Sequence, residues 1–264
     1  MNNQEKLERY KKERLGLSFK TKNGESYTII KYENNKNILI QFNNGYIKQT
    51  SWINIKRDNV NSPFLKTLSN VGYIGVGNYD SSKNPEAYLH WNHMIRRCYD
   101  AYTINRDKNL TYIDCFVCEE WHCFQNFAEW YEENYYEVEG ETMCLDKDIL
   151  CKSNKIYSPE TCVFVPQRIN SLFVKADKMR GDYPVGVHYH TKHNWLEVNC
   201  CIYKDKKKKQ KYLGKFPLNK PFQAFYTYKQ FKEQYIKQIA DEYKDLIPTK
   251  LYEAMYKYEV EIND

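Results

Sequence analysis

Three oxygen-bearing side chains in one short segment have the residue types that a magnesium-dependent nuclease would need. The segment is CLDKDILCKSNKIYSPETCVFVPQRIN, residues 144–170, in which Asp146 and Asp148 supply carboxylates and Asn170 supplies an amide oxygen. Oxygen ligands of this kind suit Mg²⁺, and a bound Mg²⁺ can assist phosphodiester cleavage by orienting water and stabilising charge. The pattern predicts a short hairpin, a Ser-Pro-Glu-Thr turn, an apolar strand and a helix that carries the asparagine.

The segment contains no histidine, the residue that would normally activate water at such a site. Lys147 stands between the two aspartates, where a base would be needed. A lysine acts as a base only when its pKa is lowered, and two neighbouring carboxylates push the pKa upward. As a cation, Lys147 could instead bind the scissile phosphate. A structural interpretation also stays open, in which Asp146 caps the turn and Asn170 bonds to backbone.

Histidines and cysteines give weaker patterns for metal binding. His90 and His93 share a helix face at i, i+3 spacing, but two histidines alone make a weak site. Cys115 and Cys118 form a C-x-x-C pair without a clean second pair, so core thiols are favoured over a zinc site. Nine cysteines without a secretion signal indicate reduced thiols in a cytoplasmic protein.

The charge balance favours a polyanionic partner. The net charge is +6, and the run KDKKKKQK at residues 204–211 places six lysines in eight residues. On its own, such a run is usually a solvated hairpin tip, whereas between two strands of a DNA-facing sheet it would hold phosphates. The sequence contains no apolar stretch of about 18 residues, so we expect no membrane partner.

Hydrophobic spacing predicts the elements that must position these groups. Residues 1–16 are typical of a charged helix, and residues 17–62 of an antiparallel meander in which Thr28, Ile30 and Tyr32 alternate with other residues. The other predicted elements are two amphipathic helices within residues 84–135, the hairpin segment, three strands after a break at Arg180–Pro184, a helix from about Pro221 to Tyr243, and a short final helix.

Several of these segments resemble two known families. Residues from about Trp91 to Phe173 resemble HNH-endonuclease-like proteins of bacteriophages. Residues 181–243 resemble the Apetala-type DNA-binding domain, which is often fused to such nucleases. The order of the motifs is more specific than any one of them. They are WNHMIRRCY, VCEEWHCFQNFAEWY, LDKDIL, YSPETCVFVP and the closing IN for the first family, and GV, WLEV at 195–198 and YLGKF at 212–216 for the second.

Patterning and resemblance together predict an α+β fold of three modules. An N-terminal helix and a small β-barrel-like antiparallel module would occupy residues 1–62. The resemblance implies an HNH-like ββα-metal domain at residues 63–180. It also implies a three-stranded sheet packed on a helix at residues 181–264, with further C-terminal helices. In that DNA-binding family the sheet lies in the major groove.

The resemblance also implies roles for individual residues. The first acidic ligand of the HNH motif maps to Asp146 and the closing ligand to Asn170, while the catalytic histidine falls on Lys147. Either Asp148 or a histidine from the first amphipathic helix would then activate water, or the site has decayed. The implied DNA contacts are His188, His190, Trp195, Glu197, Asn199, Tyr203, Lys204, Lys206, Lys207, Lys208, Lys209 and Lys211.

These features predict a DNA-binding protein related to phage HNH homing-type endonucleases, with weak or lost metal-dependent cleavage. Two alternatives stay open. One is an active Mg²⁺-dependent endonuclease or nickase, and the other is a phage inhibitor of a host defence or regulatory protein. The expected partner is double-stranded DNA, or a host protein in the last case. Mg²⁺ is the candidate cofactor, zinc is not expected, and the expected location is the cytoplasm of a bacterial host.

Overall fold

The computed structural model describes residues 2–100, 112, 114–174, 183–204, 207–262 and 264. It shows a mixed α+β protein, which confirms the predicted fold class. The first of two compact units comprises the described residues of Met1–Thr111 and Glu119–Glu129, and the second comprises those of Tyr112–Cys118 and Trp130–Asp264. The boundaries of the three modules stay predictions, because the break at Arg180–Pro184 lies largely outside the described residues.

The first unit begins with a helix and a four-stranded antiparallel sheet, as the spacing of its apolar residues predicts. Its elements are α1 (Asn3–Arg14), β1 (Ser18–Lys20), β2 (Ser26–Asn34), β3 (Asn37–Phe42), β4 (Ile47–Thr50) and α2 (Trp52–Lys56). The strands lie in chain order within the sheet. Short turns rich in Asn and Gly therefore suffice to connect β2 to β3 and β3 to β4.

The buried face of this sheet differs from the predicted one in β2. Tyr27 and Ile29 are buried, whereas Ile30 is exposed and Thr28 is only partly covered. A register shift just after Ile29 then returns Tyr32 to the core. The predicted stripe is therefore wrong for Thr28 and Ile30, because a bulge interrupts the period of two that the prediction assumed.

Two longer helices supply aromatic side chains to the core, as predicted. The elements are α3 (Pro85–Tyr99), a 3₁₀ turn (Glu119–His122) and α4 (Phe124–Asn134). Trp91 on α3 is almost fully buried, and its indole N–H donates to the carbonyl of Trp121 over 2.7 Å. The Trp91 ring also lies 5.4 Å from the ring of Phe124. The two amphipathic helices predicted within residues 84–135 are therefore confirmed.

The second unit contains the turn, apolar strand and short helix predicted within residues 144–170, but its hairpin is formed by the strands on either side of the Ser-Pro-Glu-Thr turn and not, as the sequence predicts, by residues before that turn. The elements are β5 (Phe116–Val117), β6 (Met143–Asp146), β7 (Ile156–Tyr157), β8 (Val163–Pro166) and α5 (Gln167–Asn170). β6 and β8 pair antiparallel, with Asp146 opposite Val163, and β5 pairs in parallel with β7. Every residue of β8 is buried, so this strand fixes the hairpin to the interior of the unit.

The second unit also contains the predicted three-stranded sheet packed on a helix. The elements are β9 (Val187–His190), β10 (Trp195–Lys204), β11 (Lys207–Phe216), α6 (Pro221–Glu242) and α7 (Thr249–Lys257). The strands lie in the order β11-β10-β9 and are antiparallel. The core between sheet and helix consists of Val187, Leu196, Val198, Ala224, Phe225 and Val260. Within the described part of the chain, no helix is long and apolar enough to cross a membrane.

Gly186 and Gly140 form a matched pair for testing how tightly α6 packs on the sheet. Both have a φ of +76°, a left-handed conformation that costs an alanine about 1 kcal/mol or more. A Cβ at Gly186 would collide with the Tyr228 ring of α6, whereas Gly140 has open space. We expect Gly186→Ala to lower the free energy of unfolding by about 1–3 kcal/mol more than Gly140→Ala. Urea denaturation measures the difference, and equal losses would contradict this packing.

Candidate nucleic-acid interface

The Asp146 carboxylate is used first to shape the hairpin. Its Oδ1 accepts hydrogen bonds from the backbone N–H of Asp148 (2.7 Å) and of Ile149 (2.8 Å), which fixes the turn that leaves β6. Burial raises the pKa of Asp146, and the two N–H bonds offset only part of that rise. The structural interpretation of Asp146 as a turn cap is therefore confirmed. Oδ2 accepts no hydrogen bond from any described residue, so one oxygen stays available.

Lys147 is an internal cation. Its side chain is 6% exposed, and Nζ donates to both carboxylate oxygens of Asp148 (2.8 and 2.7 Å) and to the carbonyl of Asn154 (2.9 Å). Burial alone would lower the pKa of Lys147, but the Asp148 carboxylate outweighs it and the pKa lies above its ordinary value. The expectation that flanking aspartates oppose a base role is confirmed. The ammonium is enclosed and engaged within the loop, which leaves little of it accessible to a phosphate.

Asn154 closes this loop and was not among the candidate residues. Its side-chain N–H₂ donates to the carbonyls of Lys147 (2.9 Å) and Ile156 (2.6 Å), and its backbone carbonyl accepts from the lysine ammonium. The loop therefore folds around the Lys147–Asp148 pair. An isolated asparagine in a polar loop gives no sequence signal for such a role, because the contacts are made to backbone carbonyls.

Asn170 lies on the short helix that follows the hairpin. The Cys144 thiol donates to the Gln167 side-chain oxygen over 2.9 Å. Cys144 and Asp146 share one face of β6 because they are two residues apart, and Gln167 and Asn170 share one face of α5 because they are three apart. Pro166, the residue before α5, pairs with Met143, which is at the other end of β6 from Asp146. Asp146 and Asn170 share no hydrogen bond in the described part of the chain.

These oxygens fit Mg²⁺ poorly. Mg²⁺ requires near-octahedral oxygen coordination and is usually held by one or two carboxylates together with water and substrate phosphates. Asp148 is already bound at both oxygens by Lys147, and one oxygen of Asp146 is bound by the turn. A buried ammonium beside the site also repels a divalent cation. Among the described residues, no group of three His, Cys, Asp or Glu side chains is arranged for a metal ion.

The histidine candidates for a metal site lie on α3, and the C-x-x-C cysteines flank β5. Burial lowers the pKa of His90 and of His93, and nearby positive charge lowers both further, so both imidazoles are neutral at neutral pH. Cys115 is buried and Cys118 half-buried, on either side of β5. None of the nine cysteines forms a disulfide.

The sheet brings most of the implied DNA contacts onto one face. Trp195 is paired with His190 and Glu197 with His188 across the β9–β10 ladder, and paired residues project to the same side. His188 is exposed, and Trp195, Glu197 and Asn199 are half-buried. The intervening residues of the same strands form the core against α6. We call the face opposite this core the open face of the sheet. Its residues are His188, His190, Trp195, Glu197, Asn199, Cys201, Tyr203, Lys208, Gln210, Tyr212 and Lys215.

The lysine run is divided between the two faces of the β10–β11 hairpin. Lys208 pairs with Tyr203 on the open face, and its Nζ lies 5.7 Å from the Tyr203 ring. Lys211 pairs with the buried Cys200, and its Nζ lies 5.5 Å from the Phe231 ring of α6. Lys207 and Lys209 are exposed. Lys206 and the side chain of Lys204 lie outside the described residues.

Sequence reasoning missed Lys215 and Tyr212, which also stand on the open face. Lys215 pairs with Glu197 and Tyr212 pairs with Asn199. A register shift between Val198 and Asn199 lies between these two pairs. Strict alternation along β11 would turn Lys215 toward α6, so a bulge that no sequence pattern showed decides its direction.

Three comparisons with known proteins gave no support for any family. No family model matches the chain, and neither the curated proteins nor the solved structures contain a significant match. The resemblance to HNH-like and Apetala-type proteins therefore stays a prediction.

The buried Lys147 ammonium and the half-exposed Asp148 carboxylate should be coupled in stability. Asp148→Asn leaves a buried ammonium without its counter-charge, so the free energy of unfolding should fall by about 1–3 kcal/mol. Adding Lys147→Met should recover part of that loss. The measurement is a double-mutant cycle by urea denaturation.

An exposed pair provides the control for this cycle. Lys257 and Glu253 lie 3.1 Å apart on α7 at i, i+4 spacing, where coupling of about 0.5 kcal/mol or less is expected. If the coupling between Lys147 and Asp148 is no larger than in this control, the stability of buried Lys147 does not depend on Asp148.

Proposed function

We propose that this chain binds duplex DNA through the open face of its three-stranded sheet, and that metal-dependent cleavage is weak or lost. One observation carries the proposal. The strand register places His188, Glu197 and Asn199 side by side on the face that α6 leaves uncovered. The proposed phage-encoded, cytoplasmic setting is supported by the resemblance alone.

The side chains of the open face have the chemistry of a groove reader. β-strands are known to enter DNA grooves. An asparagine can form two hydrogen bonds with adenine, and a glutamate can accept from the amino group of cytosine. Lys208 and the exposed lysines around the β10–β11 turn supply the cations that phosphates require. Base-reading groups thus stand beside phosphate-binding groups, which is the arrangement that positions a protein and then gives it specificity.

The side chains of residues 144–170 support loss of cleavage more than its retention. Neither Lys147 nor Asp148 replaces the missing histidine as a general base, because Lys147 is held as a cation and Asp148 is bound to it. Loss of a general base costs about 10²–10⁴-fold in rate. The alternative of an active Mg²⁺-dependent nickase is favoured only by the available Oδ2 of Asp146.

The lysines of the β10–β11 hairpin should set the salt dependence of DNA binding. Replacing Lys207, Lys208 and Lys209 with serine should weaken binding and flatten the plot of log K against log salt. Each phosphate contact that is lost reduces the slope by about 0.9. Fluorescence anisotropy with a labelled duplex at several NaCl concentrations measures the slope.

A second triple variant controls for the loss of net charge. Lys237, Lys244 and Lys250 are exposed on α6, on the turn after it and on α7. Their replacement with serine removes the same charge but should leave the slope almost unchanged. Equal slopes for the two triple variants would show that the lysines of the β10–β11 hairpin do not contact phosphates. Absence of duplex binding by the unchanged protein at low salt would overturn the proposed function and favour a protein partner.

Cleavage should be absent or very slow. With Mg²⁺ or Mn²⁺, the protein should leave supercoiled plasmid as intact as a protein-free control, and Asp146→Ala and Asn170→Ala should change nothing. Gel separation of supercoiled and nicked plasmid measures the outcome. Divalent-dependent nicking that both substitutions abolish would overturn the loss of cleavage and establish the nickase alternative.

A further inference from the structure

We propose that Trp195 is a positioning residue which directs Lys215 and His193 toward DNA phosphates and does not itself stack on bases. This inference deepens the proposed function and rests on it. It assigns a phosphate contact to Lys215, and it gives the single tryptophan of the sheet a role in orienting its neighbours.

The indole ring of Trp195 is already occupied by two neighbouring side chains. Lys215 Nζ lies 4.8 Å from the ring centroid, a distance at which a cation is attracted to the ring. The His193 imidazole stacks on the same indole, with centroids 4.5 Å apart and planes inclined by 12°. Lys215 is on β11, and His193 is in the turn between β9 and β10.

The indole N–H is also engaged within the protein. It donates to Glu197 Oε1 over 3.1 Å, and His190 Nε2 lies 3.8 Å from the same oxygen. The ring and the only donor of Trp195 are therefore both committed to neighbours on the open face. A base could stack on this ring only by displacing the groups that would otherwise contact the DNA.

A bulge in the sheet places Lys215 where this interaction can form. Across the register shift at Val198 and Asn199, Glu197 pairs with Lys215 and Val198 with Gly214. Without the extra residue, Lys215 would pair with the buried Leu196 and project toward α6. Gly214 has a φ of +146° at this point, which favours glycine over other residues. The backbone thus turns one lysine onto the open face and directly over the tryptophan.

Holding the lysine in place favours binding because an unrestrained lysine loses much rotamer freedom when it contacts a phosphate. A lysine that already rests on an aromatic ring has lost part of that freedom before DNA arrives. Removing the ring should therefore weaken the phosphate contact even though no charge is removed. Direct stacking of Trp195 on a base would behave differently, because stacking carries no salt dependence of its own.

The test measures the salt slope of duplex binding for single and double variants. Lys215→Gln should reduce the slope by about 0.9, as expected for one lost phosphate contact. Trp195→Leu keeps an apolar side chain without an aromatic ring and should reduce the slope by a similar amount. The double variant should show little further reduction. Trp195→Phe retains a ring and should restore most of the slope.

Lys237→Gln is the matched control, because Lys237 Nζ also rests near an aromatic ring, 5.9 Å from the centroid of Tyr256 on α7. This variant should keep the slope of the unchanged protein. An unchanged slope for Lys215→Gln would overturn the phosphate role of Lys215. A lower affinity for Trp195→Leu with the slope intact at every salt concentration would overturn positioning and indicate base stacking. If the unchanged protein binds no duplex, the proposed function itself fails.

Discussion

A three-stranded sheet that packs against one helix can bury only one of its two faces, and this constraint determines what the C-terminal part of the molecule can do. Val187, Leu196 and Val198 enter the core with Ala224 and Phe225 of α6. The residues that alternate with them must then stand on the other side. Burial of the apolar face stabilises the sheet, and the same strands present polar and aromatic groups in a fixed order. Alternate residues of each strand therefore either stabilise the core or form the exposed surface of the sheet.

The hairpin within residues 144–170 shows the opposite relation, because structural and catalytic uses would require the same side chains. A buried ammonium is costly unless it is paired and fully hydrogen-bonded. Asp148 and Asn154 satisfy this requirement for Lys147. A carboxylate that neutralises a buried lysine cannot also serve fully as a ligand for a divalent cation. Lys147 therefore limits the metal-binding capacity of the neighbouring Asp148 carboxylate, and as a cation it cannot itself act as a base.

Much of this arrangement follows from the sequence, and the exceptions have specific physical causes. Alternating apolar residues and turn signals predict the strands, and the spacing of Phe and Tyr residues predicts α6. The direction of Lys215 depends on a bulge, which breaks the period that such reasoning uses. The burial of Lys147 has no signal in the sequence, since charged side chains are rarely buried. Val260 joins the sheet core from a segment after α7, a non-local contact without a local pattern.

The hairpin and the sheet are also fixed to each other within the second unit. The Ser171 hydroxyl, one residue after the candidate ligand Asn170, donates to the Tyr203 hydroxyl over 3.0 Å. Arg168 on α5 forms a 2.7 Å ion pair with Glu242 at the end of α6. DNA that binds the open face near Tyr203 would therefore meet α5 at a set distance, whether or not cleavage survives. The loss of a catalytic base would leave this geometry intact, because none of these contacts involves Lys147. A binding role is thus physically independent of the chemistry of the hairpin.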